Sequence, residues 1–327
     1  MRLGRGRDRQ RPRRLIDNSG NQRVEQGARV MRPGSLSLDA FLARRAGDRR
    51  LARLTHDLCL PEGSGLEFGP ADNPTPLPEG LSVTYVDHSR DAGADLAGAT
   101  PIDHAWSGSG SLTAVLGHDG YDFAIAAQVG QYVPNLLGWL RGIHAALRPG
   151  GVLNLSLPDR QFMFDAARPV STLAELIEAD LLAYERPSPR QMFGHTYDVR
   201  TITPEQIWAG EDPVHAPRMA GEAALPHAHA EAVDALATDA YVACHCWVLT
   251  PIAFLDLVEG ATRLDLFPFV LNQVSATQLG GFEFYVSMRR EAQAEAEALL
   301  GLQIGAINHL RGLLETQRQT AKLMAGI

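Results

Sequence analysis

The sequence predicts an α/β fold: a mostly parallel sheet with an antiparallel closing strand, helices on both faces, and an inserted helical cap. Three observations predict it. β-rich runs alternate with helical-period segments between residues 65 and 158. The alternation lapses over about 160–245, where Pro, His and Ala are frequent. It then returns as two strand-like runs, 264–274 and 282–288, joined by a short loop as in a hairpin.

Residues 1–34 hold few apolar side chains and no periodicity, so they read as a disordered Arg-rich tail. The folded domain is expected over 35–290. Leu38, Phe41, Leu42, Leu51, Leu54 and Leu58 have helical spacing, with Ser37 or Asp39 placed to cap the start. Strands follow at 65–69, 83–87, 121–127 and 151–157, the last stopped by Pro158. Between the last two, Leu136, Leu140, Ile143 and Leu147 share one helix face, with Pro134 at its start and Pro149-Gly150-Gly151 at its end. Only residues 70–82 join the first two strands, and prolines at 70, 74, 76 and 78 predict a crossing without a full helix. In the cap, pieces near 171–185 and 219–237 look helical, and 251–258 reads as a helix after it. Leu299, Leu302, Ala306, Leu310 and Leu313 predict a long C-terminal helix within 291–327. That helix either packs on its own domain or pairs with a second copy.

Composition narrows the function. The chain of 327 residues carries a net charge of −8, yet residues 1–30 alone hold nine arginines against Asp8, Asp17 and Glu25. The remaining body is strongly acidic, which argues against a nucleic-acid partner. No apolar run is long enough to span a membrane. Three cysteines (Cys59, Cys244, Cys246) are too few for a disulfide framework and suggest a reducing, cytoplasmic setting. Cys244 and Cys246 share one face of an extended segment while His245 points away, so no metal site is expected there.

In an open parallel sheet, ligands sit at the carboxyl ends of the strands. Glu67, Gly69, Asp87, Asp103 and Gln128 occupy those ends. A Gly lets backbone N–H groups approach a ligand, and an acid ending the second strand can accept from ribose hydroxyls.

Gly65-Leu-Glu-Phe-Gly-Pro70, Tyr85-Val-Asp87, Tyr121-Asp-Phe-Ala-Ile125 and Leu147-Arg-Pro-Gly-Gly151 together resemble the motif series of class I S-adenosylmethionine-dependent methyltransferases. Leu157-Pro-Asp-Arg160, Ile207-Trp-Ala-Gly210 and His245-Cys-Trp-Val-Leu-Thr-Pro251 resemble a bacterial branch associated with glycan biosynthesis. The resemblance implies a Rossmann-like fold and S-adenosyl-L-methionine as cofactor, with a small-molecule or glycan-linked acceptor. Glu67 and Gly69 would flank the methionine part, Asp87 would hold the ribose, Asp103 would meet the adenine amine, and Gln128 would face the sulfonium.

Two departures stand out. The loop after the first strand has a single Gly, Gly69-Pro-Ala-Asp-Asn-Pro74, where the family has two or three. Gln128-Val-Gly-Gln-Tyr132 lacks the His and Glu-His residues that relatives often place there. If a base is needed, Asp159, His195 and His245 are the candidates. Arg160 and Asp165 are candidates for contact with the acceptor, Arg160 toward a phosphate or carboxylate. The alternative is a non-catalytic protein on the same fold, binding cofactor or serving as a scaffold for glycan-assembly enzymes.

Overall fold

A computed structural model describes residues 35–58, 60–89, 97–238, 240–292 and 295–324. The Arg-rich segment and Cys59 lie outside the described residues. Two short helices come first, α1 (Leu38–Gly47) and α2 (Arg49–Leu54). The Ser37 side chain accepts from the Ala40 N–H and Asp48 accepts from the Leu51 N–H, so each helix start is capped.

The sheet contains β1 (Gly63–Phe68), β2 (Leu81–Asp87), β3 (His104–Ala105), β4 (Tyr121–Ala127), β5 (Leu147–Pro158), β6 (Val270–Ser275) and β7 (Glu283–Arg289). Their order is β3-β2-β1-β4-β5-β7-β6. The first five strands pair in parallel, and β7 runs antiparallel to both β5 and β6. The expected closing hairpin is therefore present, and β7 is its antiparallel member.

Alternation along the strands sends side chains to two cores. Leu66, Phe68, Ala124, Leu153 and Leu155 face α3 (Leu112–Leu116) and α4 (Leu136–Ala146). Tyr85, Phe123, Ile125 and Val152 face Phe41, Leu51 and Leu54 of α1 and α2. Residues 69–80 cross from β1 to β2 without a helix. The helices that precede the sheet in sequence cover that face instead.

The cap comprises α5 (Leu173–Leu181), α6 (Pro189–Asp198), α7 (Pro204–Trp208) and α8 (Ala224–Thr238). Capping boxes at Thr172, Ser188 and Thr203 begin the first three. Next comes α9, which spans Pro251–Arg263 and is longer than its sequence signal. The strand expected from 264 begins only at Val270. Asp265 takes a positive φ of 58°, and Leu264 and Asp265 still turn back onto the end of α9. The final helix, α10 (Ala296–Met324), buries Ile307, Leu310 and Leu314 against α9 and β6. It docks on its own domain, with Leu302 and Leu313 left exposed. Among the described residues no helix is long and apolar enough to cross a membrane.

Candidate active site

A cavity of about 220 Å³ opens at the carboxyl ends of β1, β2 and β4. Gly69, Asp87 and Gln128 line it, as the sequence predicted. Gly69 has a φ of 58°, and a Cβ there would stand 2.7 Å from Val129 Cγ2, so only Gly fits without displacement. The Asp87 Oδ1 accepts from the His88 backbone N–H at 2.6 Å and lies 2.8 Å from the His88 Nδ1. Its Oδ2 faces Gly69, 3.9 Å from where that Cβ would be. Phe68, Val86, Trp106 and Trp139 make an apolar wall, and Tyr132 and Tyr241 complete the rim.

Gln128 has the strained φ of 59°, and its bonds hold it there. Its N–H donates to Ser156, and its Nε2 donates to Glu283 Oε2 at 2.9 Å. Glu283 Oε1 in turn accepts from Arg50 Nε at 2.9 Å and the Tyr285 hydroxyl at 2.5 Å. The cavity floor is thus tied to α2 and β7.

Two expected ligand residues have other partners. The Asp103 carboxylate accepts from the Tyr85 N–H at 2.9 Å, and Trp106 and Ser107, just beyond β3, reach the cavity in its place. Glu67 points to the opposite face from Phe68, where its Oε1 accepts from the Thr75 N–H at 2.8 Å and its Oε2 is buried without a partner. Burial pushes this carboxyl up to about 7, against the pull of the Thr75 bonds and Arg50. Unfolded, the same group would titrate near 4.5. Folding therefore favours its protonated form, and that stability is lost as pH rises from about 4.5 through about 7. Wild type is expected to lose about 1–3 kcal/mol relative to Glu67→Gln between pH 5 and pH 8. Urea unfolding of both proteins at the two pH values checks this, and parallel stabilities would refute it.

The second cluster lies beside Tyr132. Asp165 Oδ2 sits 2.5 Å from His245 Nδ1, and Asp165 Oδ1 accepts from Arg168 at 2.8 Å. Arg168 also donates to the His245 carbonyl at 2.9 Å. All three residues are buried. Burial alone would raise the Asp165 carboxyl, but His245 and Arg168 hold it below the usual carboxylate range. The ionised Asp165 fixes His245 with its proton on Nδ1, leaving the Nε2 lone pair to accept. The Tyr132 ring meets His245 edge-on at 4.8 Å, and the His195 ring is 5.5 Å away. Burial and the nearby Arg168 lower His195 to about 4, so it is neutral at pH 7, with its Nδ1 buried and unpartnered.

Sequence reasoning named His245, His195 and Asp165 separately, and the fold brings them together. It gave Asp165 an acceptor contact, whereas the structure gives it to His245 and Arg168. Asp159 does not line the cavity: its Oδ1 caps the turn at Gln161 and its Oδ2 accepts from the Thr277 hydroxyl at 2.8 Å. Arg160 spends one terminal nitrogen on the Ala166 carbonyl at 2.6 Å. Trp106, Trp139, Arg168, Tyr241 and Glu283 were not anticipated, because aromatic residues and lone charges carry no distinguishing spacing in one sequence.

Residues 41–203 match a family model described as methyltransferase domain. No curated protein matches the chain. Among solved structures, an S-adenosylmethionine-dependent methyltransferase from Mesorhizobium loti is 16% identical, with 75% of this chain and 100% of that one covered and a TM-score of 0.37. A Zn-dependent alcohol dehydrogenase from Rhodobacter sphaeroides is 14% identical, covering 75% and 90% at a TM-score of 0.41. The CurJ carbon methyltransferase is 12% identical, covering 78% and 56% at 0.36.

Proposed function

The chain carries a methyltransferase domain, and we propose that the cavity over β1, β2 and β4 holds S-adenosyl-L-methionine for transfer to a hydroxyl or protonated amine. The observation that carries this is Asp87 Oδ2, facing Gly69 at the cavity wall with no donor among the described residues. That is the arrangement a ribose diol needs. Trp106, Trp139 and Phe68, tilted steeply to one another, offer an apolar wall for adenine. Glu67, on the other face of β1, would act only indirectly, by holding the crossover loop through the Thr75 N–H. Asp103 would act only indirectly, by fixing the end of β2 beside the base.

When bound, the cofactor supplies an activated methyl group, so the protein's work is orientation, exclusion of water and handling of the acceptor's proton. Gln128 and Tyr132 border the reacting region. The loop from 128 to 132 has no base of its own, and His245 on the adjoining segment supports the missing role. Held by Asp165, it takes the acceptor's proton at Nε2. His195, neutral beside it, shapes the acceptor side, with Arg160 and Asp159 at the end of β5. The sequence resemblance supports a small-molecule or glycan-linked acceptor.

Calorimetric titration with S-adenosylmethionine is expected to give heat of binding at micromolar concentrations. Asp87→Ala should weaken that binding at least tenfold, or about 1.4 kcal/mol. No heat with wild type would refute the cofactor assignment, and unchanged affinity in the variant would refute the role of Asp87.

A further inference from the structure

We propose that Tyr241 is a gate and positioning residue for the cofactor cavity, an inference that rests on the cofactor reading above. Tyr241 belongs to an extended segment that crosses the cavity mouth between α8 and α9. Its ring stacks on His88, with centroids 4.8 Å apart and planes at 18°. His88 is the residue that holds Asp87 Oδ1. A chain of contacts thus runs from this segment through an imidazole to the carboxylate assigned to the ribose.

The cavity is too small for its ligand as it stands. Sites for small organic molecules span about 300–1,000 Å³, and this one holds about 220 Å³. A nucleoside bearing an amino-acid arm needs a wall to yield. Phe68, Trp106 and Trp139 are locked in the core. The downstream part of the segment is also pinned. The Cys246 and Trp247 N–H groups both donate to the Gln131 carbonyl, and Trp247 Nε1 donates to Val133 O at 2.6 Å. Tyr241, by contrast, is 37% exposed. Among the described residues it is held by the His88 stack and one long hydrogen bond, 3.3 Å from its hydroxyl to the Tyr132 carbonyl. Tyr132 is equally exposed, but its N–H is bonded to the Val129 carbonyl and its ring packs on buried His245, so Tyr241 is the wall ring freest to move.

Opening separates Tyr241 from His88 and widens the nucleoside end. Closing restores pressure on His88 and so fixes the orientation of Asp87. Because His245 lies four residues further along the same segment, the pinned stretch from Cys244 to Trp247 keeps the base in place while Tyr241 moves. The gate therefore acts on cofactor admission and release without dismantling the dyad.

Stopped-flow mixing with S-adenosylmethionine tests this, read by the fluorescence of Trp106 and Trp139 in the wall. In wild type the observed rate should rise and then level off with cofactor concentration, because opening limits binding. In Tyr241→Ala the plateau should rise at least tenfold. Tyr241→Phe keeps the stack and should stay within threefold of wild type, which separates gating from loss of the hydroxyl. A wild-type rate that stays linear, or a plateau unchanged in Tyr241→Ala, overturns the gate while leaving the cofactor reading intact. Absence of calorimetric binding to wild type overturns both.

Discussion

His245→Gln is expected to lower kcat by about 10²–10⁴-fold, the usual contribution of a positioned general base. Cofactor affinity should be almost unchanged, since His245 does not line the cavity. Asp165→Asn should fall in the same range. An amide in that place can donate to Nδ1, which favours the tautomer with the proton on Nε2 and removes the accepting lone pair. The readout is release of S-adenosylhomocysteine with the best acceptor from a panel of sugar hydroxyls, small alcohols and amines. If the variant keeps more than a tenth of the activity, the base lies elsewhere. Calorimetric binding by each variant shows that the domain is folded.

The second large effect concerns stability. Arg168 is 5% exposed, and its guanidinium joins Asp165 to the His245 carbonyl. Arg168→Met removes one member of a buried ionic cluster and leaves the Asp165 charge with His245 alone. Breaking such a pair costs about 3–5 kcal/mol, most of it the desolvation of the charge left behind. Replacing both charges, as in Arg168→Met with Asp165→Leu, should recover part of the loss while abolishing activity. Denaturant unfolding of the three proteins measures this. A single-variant loss below about 1 kcal/mol would mean that solvent reaches the cluster.

Much of the sheet was legible in the sequence because β1, β2, β4 and β5 are apolar runs bounded by Gly or Pro. β3 was not, since two residues cannot show a period. The start of β6 was misplaced because Leu264, Leu266 and Phe267 look like strand residues, although the chain turns at Asp265. At the site, Gly69, Asp87 and Gln128 could be named because topology alone puts strand ends at the ligand edge. The pairing of Asp165 with His245 spans 80 residues and depends on how the cap folds back, which no local pattern encodes. Asp103 shows the opposite limit. An acid of the expected type in the expected place was taken by a backbone N–H of the neighbouring strand.

The bare crossover between β1 and β2 has a consequence for assembly. The face it leaves open is filled by α1 and α2, of which α2 touches β4, β5 and β7. Arg50 and its partner Glu283 are 233 residues apart. During synthesis α1 and α2 must wait for β2, β4 and β5 before their apolar docking surface exists, and for β7 before Arg50 finds Glu283. Contacts of such sequence separation slow folding, because loop closure precedes any gain from the contact. The apolar side of Phe41, Leu51 and Leu54 therefore needs shelter until β4 and β5 arrive, and the Arg50 tie closes only with β7.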